Sequence, residues 1–189
     1  MGASIQEPAS TMEPRANREA MSSERTRNKL AVQVTRDIRL LLIALWLGAS
    51  IFFSLVVAPS VFAVLPAREL AGAVVSRTLS TMNTGGFVIS LLLLASAFPF
   101  RSIVSNRAFG LEVAALVLIA LSTFVGKWII AARMQALRAA MGRPIDQVAQ
   151  SDPLRIAFNG LHGYSVAALS VGMLAAIVSL VLIARRADT

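Results

Sequence analysis

Long charge-free apolar stretches, separated by short charged or proline-containing breaks, organise this sequence. After Arg39 no charged residue occurs until Arg68, and the heart of that gap, Leu40 to Ala58, has 19 residues, close to the roughly 20 needed to cross hydrocarbon as a helix. Pro59 lacks an amide hydrogen and obstructs the preceding turn. A kink or end is therefore predicted near Ala58, with Ser60 to Leu65 as a bent continuation and Pro66 in the first turn of the next helix. That second helix is predicted to begin on the outer surface at Ala67 and to run on into the uncharged stretch Thr78 to Phe100. Gly85-Gly86 within it marks a bend or a close approach of another backbone, and Pro99 favours termination just before it. The third span, Ala108 to Ala132, carries Glu112 near one end and Lys127 near the other, where long side chains reach the interface. Arg133 to Met141 continues that helix into water until Gly142 and Pro144 stop it, and residues 142–155 form the longest loop. Ile156 to Ala184 holds no formally charged residue, Arg185-Arg186 closes the run, and the fourth span is predicted from Leu161 to Ala184.

The pattern predicts an all-α fold, a four-helix transmembrane bundle with a kinked first helix. Its spans lie at about 40–60, 78–98, 108–132 and 161–184, within a transmembrane domain of residues 39–186. Residues 1–38 are expected to form a disordered cytoplasmic tail: as far as about residue 28 they carry Pro8, Pro14, several Ser and Glu and almost no periodic apolar pattern. The opening Met1 to Gln6 lacks the Ser or Thr of a myristoylation signal, and Met21 offers an alternative start. The first apolar run follows a long tail and exceeds a signal-peptide core, so it is expected to remain as an anchor.

Composition agrees with a membrane protein: 56% of the 189 residues are hydrophobic and 15% charged, against about one quarter charged in soluble domains. The absence of cysteine removes disulfides, thiolate metal sites and thiol nucleophiles. The net charge of +8 does not point to nucleic acid, because the basic residues flank apolar runs and form no stripe beside stacking aromatics. It points instead to topology and to anionic lipid. Nine Lys and Arg near the spans fall on the side of the termini, against six (Arg68, Arg77, Arg133, Arg138, Arg143 and Arg155) on the other face. The bias predicts cytoplasmic N- and C-termini in a bacterial inner membrane, with Trp46 toward the inner interface and Trp128 toward the outer one.

Helix association in lipid relies on close packing through small residues and on a few interhelical hydrogen bonds. Ala168, Gly172 and Ala176 recur along the fourth span, with Gly163 and Ala167 before them, and Ala44 and Gly48 repeat the pattern on the first. These faces are expected to dock on each other or on Gly85-Gly86. Asn83 and Thr84, Lys127, and Asn159, His162 and Ser165 fall toward the outer half, the last three sharing one helix face. They are expected either to converge on a polar ligand pocket open to the outer side or to serve as interhelical hydrogen bonds and interface residues, with Lys127 snorkelling. Glu112 lies about 22 Å of helix from Lys127 at 1.5 Å per residue. An acid–base pair is thereby excluded, and Glu112 is expected to pair with Arg107 or Arg101. No catalytic residue set is visible, since His162 has no identifiable orienting acid.

The segments Leu45-Trp46-Leu47-Gly48-Ala49-Ser50-Ile51-Phe52-Phe53, Val57-Ala58-Pro59-Ser60-Val61-Phe62 and Phe158-Asn159-Gly160-Leu161-His162-Gly163-Tyr164-Ser165 resemble the transmembrane protein 205-like family, in order, across most of residues 40–184. The resemblance implies a four-helix membrane domain, catalogued in bacteria as a domain of unknown function, and no reaction. The first span is more distantly similar to copper-resistance D-like membrane proteins, which brings copper or haem into view. With one histidine, no cysteine and only Met82 and Met173 within the spans, no metal site and no cofactor are predicted. The leading expectation is a non-enzymatic module that binds a partner or ligand. The alternatives are a small transport component acting as an oligomer and a copper- or haem-linked redox protein. Expected partners are the lipid bilayer and a homo-oligomer or other membrane protein.

Overall fold

The computed structural model describes residues 12–98 and 106–185. Helix α1 (Met12–Phe52) passes through a π-helical turn (Phe53–Val57) into α2 (Ala58–Val64), and α3 (Arg68–Ala95) follows. Helix α4 (Asn106–Phe124) passes through a second π-helical segment (Val125–Ile130) into α5 (Ala131–Met141); a short 3-10 turn (Ile145–Gln147) then leads to α6 (Pro153–Ala184). Among the described residues there is no strand. Four continuous helices, Asn17–Val64, Arg68–Ala95, Asn106–Met141 and Pro153–Ala184, are long and apolar enough to cross a membrane. The fold is thus an all-α four-helix bundle, and the chain is an integral, multi-pass membrane protein.

The chain divides into two units, Met1–Ile38 and Arg39–Thr189. In the first, residues 12–38 are helical where composition predicted a disordered tail. After Pro14, which sits in the first turn, the stretch has no Gly or Pro and is rich in Ala, Arg, Glu and Lys, all good helix formers. The hydroxyls of Ser22, Ser23, Thr26 and Thr35 bond back to carbonyls three or four residues earlier. Residues 1–11 of the expected tail lie outside the described residues.

In the second unit, proline and glycine set the breaks. Pro59 does not end the first span. The preceding turn widens so that Ala58 N–H donates to Phe53 O, five residues back, and the helix continues past the proline to Val64. Pro66 lies before the next helix rather than in its first turn, because Ala67, extended, is the N-cap and Arg68 the first helical residue. Helix α5 ends where expected, at Gly142, whose φ of 62° is the left-handed conformation that glycine adopts without strain. Helix α6 starts earlier than Leu161. The Asp152 carboxylate accepts the Leu154 N–H at 2.8 Å and Pro153 occupies the first turn, a start signal that shortens the predicted loop.

The core draws Ile43, Trp46 and Leu47 from α1, Leu93 from α3, Ala115, Leu116 and Ile119 from α4, and Ala175 and Ala176 from α6. Trp46 is its wedge. It is 5% exposed, and its Nε1 donates to Met82 O at 3.1 Å. A Cβ placed on Gly86 would lie 2.5 Å from that nitrogen and 2.8 Å from Thr123 Cγ2. The indole therefore occupies space that only glycine leaves open, and its polar edge is satisfied by a backbone carbonyl rather than by the membrane interface expected for it. Gly172 also faces Trp46, with its Cβ position 3.4 Å from Cη2. By contrast, among the described residues a Cβ at Gly48, Gly85 or Gly163 would meet nothing within 4 Å. Helix α4 packs along both α6 and α3. Trp46 thus links the first span to Gly172 of the fourth and to Gly86 of α3, which lies in one of the docking faces expected from the small residues. Trp128, exposed, stacks with Phe124 (5.1 Å between centroids) and meets Phe87 edge-on (5.3 Å).

Candidate functional site

At one end of the bundle Arg39 of α1, Ser96 at the end of α3 and Glu112 of α4 come together. Arg39 is 2% and Glu112 0% exposed. The guanidinium donates through Nη2 to Glu112 Oε1 and through Nη1 to Ser96 O at 2.8 Å, tying three helices. Sequence reasoning assigned Glu112 a basic partner near this end, Arg107 or Arg101. Arg107 is exposed, Arg101 lies outside the described residues, and the partner seen is on another helix. A buried ion pair with backbone support fixes the register of the three helices; it offers no surface for a ligand.

At the opposite end a cleft of about 320 Å³ opens between the end of α2, the start of α3, α5 and the start of α6. Its polar lining is Arg68, Glu69, Ser76, Arg138, Arg143, Asn159 and His162, and its apolar lining includes Phe62, Val75, Met134, Met141 and Phe158. Arg138 is the organising residue. Its Cζ sits 5.0 Å from the centroid of the buried Phe158 ring, a cation–π contact. A Cβ on Gly72 would stand 3.0 Å from Arg138 Nη2, so a glycine on α3 makes room for the guanidinium. Among the described residues no carboxylate lies within ion-pair range of the half-buried Arg138. Arg68 has a loose and exposed partner, Asp146, at 3.9 Å. Arg155 donates to Val148 O, which holds the buried Val148 and the 148–155 turn in place beside the cleft.

The predicted polar residues separate into two places. Asn159 and His162 line the cleft, as residues one turn apart on α6 should. Ser165, on the next turn, is buried and does not line it. Asn83 and Lys127 gather elsewhere, at the π-helical segment. Lys127 Nζ donates to Thr84 Oγ1, Thr84 in turn donates to Ser80 O at 2.8 Å, and Lys127 Nζ lies 4.9 Å from the centroid of the Trp128 ring. Asn83 is 5% exposed, and its Nδ2 is 2.9 Å from a Cβ position on Gly126. The widened turn, with Ala131 N–H donating to Gly126 O, accompanies this polar contact between α3 and the third span. Lys127 to Thr84 is an interhelical hydrogen bond, and neither Asn83 nor Lys127 lines the cleft.

Sequence reasoning missed Arg68, Arg138 and Arg143, which were counted as topological charges. The signal was present: Met134, Arg138 and Met141 recur at helical spacing just before the Gly142 stop, one turn-by-turn face that lines the cleft. The two methionines also lie beyond the stretch in which thioethers were counted. Among the described residues no three His, Asp or Glu side chains gather where they could hold a metal ion.

No curated protein and no solved structure matches the chain. Residues 41–143, more than half of the sequence, match a domain of unknown function, DUF4149. The match runs from α1 through α5, takes in Arg39's partner Glu112 and the cleft residues from Phe62 to Arg143, and stops before α6. On that match the chain belongs to the DUF4149 family of membrane domains.

Proposed function

We propose that this protein is a non-enzymatic ligand-binding membrane module whose ligand occupies the Arg138 cleft. The observation that carries the reading is a half-buried guanidinium, aimed into a cleft of about 320 Å³ and lacking a carboxylate among the described residues. Such a cation is costly to desolvate unless an anion answers it. The cleft size is that of a small-ligand pocket, and its mixture of apolar walls with a few convergent polar groups is typical of one. His162 makes no side-chain hydrogen bond among the described residues, and no nucleophile–base pair lines the cleft, which favours binding over catalysis. The nine-to-six excess of Lys and Arg on the side of the termini supports cytoplasmic termini in a bacterial inner membrane, with the cleft on the outer face. The resemblance to the transmembrane protein 205-like family supports the same four-helix architecture. A copper site is disfavoured by three arginines around the one imidazole, which raise the electrostatic cost of a metal cation. A transport path through a single chain is disfavoured by the burial of Ile43, Leu116 and Ile183.

The test is native mass spectrometry of protein purified in a neutral detergent, wild type against Ser76→Trp. Ser76 is a half-buried lining residue, and an indole there fills the cleft. A retained adduct that Ser76→Trp removes, in a variant that still unfolds in one cooperative transition, is the expected result. Wild-type protein without any adduct sensitive to Ser76→Trp overturns the reading.

A further inference from the structure

We infer that the ligand of this cleft is the phosphodiester headgroup of an anionic phospholipid, an inference that rests on the ligand-binding reading above. Charge is the first ground. Arg68, Arg138 and Arg143 face the cleft against one lining carboxylate, Glu69, and Arg68 is shared with Asp146 at 3.9 Å. Three arginines against Glu69 and Asp146 leave one net positive charge, which suits a monoanion, and the planar fork of Arg138 or Arg143 matches two phosphate oxygens at once. Arg138 is already held for the task, seated 5.0 Å over the Phe158 ring and admitted by the missing side chain of Gly72. Little side-chain entropy is then lost when the anion arrives.

Size and surroundings are the second ground. A cleft of about 320 Å³ holds a headgroup but no pair of acyl chains, so the chains must lie outside it. The surface beside it suits them: Phe62, Val64, Leu70 and Ile156 are exposed at 47, 79, 56 and 57%, an apolar rim next to a basic cleft at the ends of membrane-spanning helices. A phospholipid held by its headgroup adds contact of its own chains with this rim, which a free phosphate ion lacks. Asn159 and His162, exposed on α6 at the mouth, offer hydrogen bonds to headgroup hydroxyls.

The experiment uses full-length protein in neutral detergent, titrated with phosphatidylglycerol, with phosphatidylcholine and with inorganic phosphate, read by native mass spectrometry and by melting temperature. Phosphatidylglycerol is expected to bind and stabilise. Phosphatidylcholine, whose ammonium offsets its phosphate, and inorganic phosphate are expected to do so about tenfold less well or not at all. Arg138→Gln should weaken phosphatidylglycerol binding about tenfold or more, the loss expected for a charged hydrogen-bonding pair. Arg143→Gln, at an exposed position with little bearing on folding, should weaken it in the same direction, and Lys29→Gln, outside the cleft, should leave it unchanged. Equal binding of the two lipids, stabilisation by inorganic phosphate alone, or unchanged binding in both arginine variants overturns the inference. If a Ser76→Trp-sensitive adduct of another chemistry is found at the same time, the ligand-binding reading survives; if no such adduct exists, both fall.

Discussion

Replacing Glu112 by Ala probes the contact that fixes the register of α1, α3 and α4. The Glu112 side chain is 0% exposed and that of Arg39 3%, so removing the carboxylate leaves a guanidinium far from bulk water. Breaking a buried pair by removing one partner costs about 3–5 kcal/mol, chiefly for the charge left behind. Arg39 keeps Ser96 O as an acceptor at 2.8 Å, which places Glu112→Ala near the lower limit, about 3 kcal/mol. Arg39→Met with Glu112→Leu removes both charges and fills their space, and should return to within about 1 kcal/mol of wild type, because the desolvation of both ions is no longer required. Unfolding of detergent-solubilised protein by added dodecyl sulfate, followed by circular dichroism, measures all three. A Glu112→Ala variant within about 0.5 kcal/mol of wild type, the scale of an inconsequential surface change, would refute the reasoning, as would a double variant no more stable than Glu112→Ala.

The Trp46 wedge makes a paired prediction. Gly86→Ala forces a methyl to 2.5 Å from a rigid indole and should cost about 1–3 kcal/mol, whereas Gly172→Ala, at 3.4 Å, should be nearly neutral and Gly172→Leu destabilising; the same titration compares them. Asp152→Ala removes the cap that accepts the Leu154 N–H and should cost about 0.5–2 kcal/mol, seen as faster hydrogen exchange in the first turn of α6.

Four spans were legible because charge-free gaps of membrane length and helix-stopping residues such as Gly142 are local signals. Proline was harder to read, since a widened turn at Phe53–Val57 lets the helix run past Pro59. The Asp152-Pro153 start was equally local and was overlooked in favour of the apolar run that follows it. Pairings were not legible. That Glu112 needs a cation follows from its place in an apolar span, but the choice of Arg39 depends on which helices are neighbours. Trp46 read as an interface residue because nothing nearby in sequence shows that Gly86 leaves room for its indole and that Met82 O awaits its N–H. Asn159 and His162 were found from their shared face. The cleft's arginines were not, because a basic residue flanking a span serves topology and binding with the same appearance.

All of this rests on four crossings of the bilayer, a topology that predicts labelling of positions 23 and 188 from one side and of position 150 from the other. The chain has no native cysteine, so Ser23→Cys, Gln150→Cys and Asp188→Cys each give a single thiol. Treated with a membrane-impermeant maleimide on intact spheroplasts, the Gln150→Cys protein should label at once, and the other two only after permeabilisation. Labelling of Gln150→Cys from the same side as either of the others would contradict the four-span architecture.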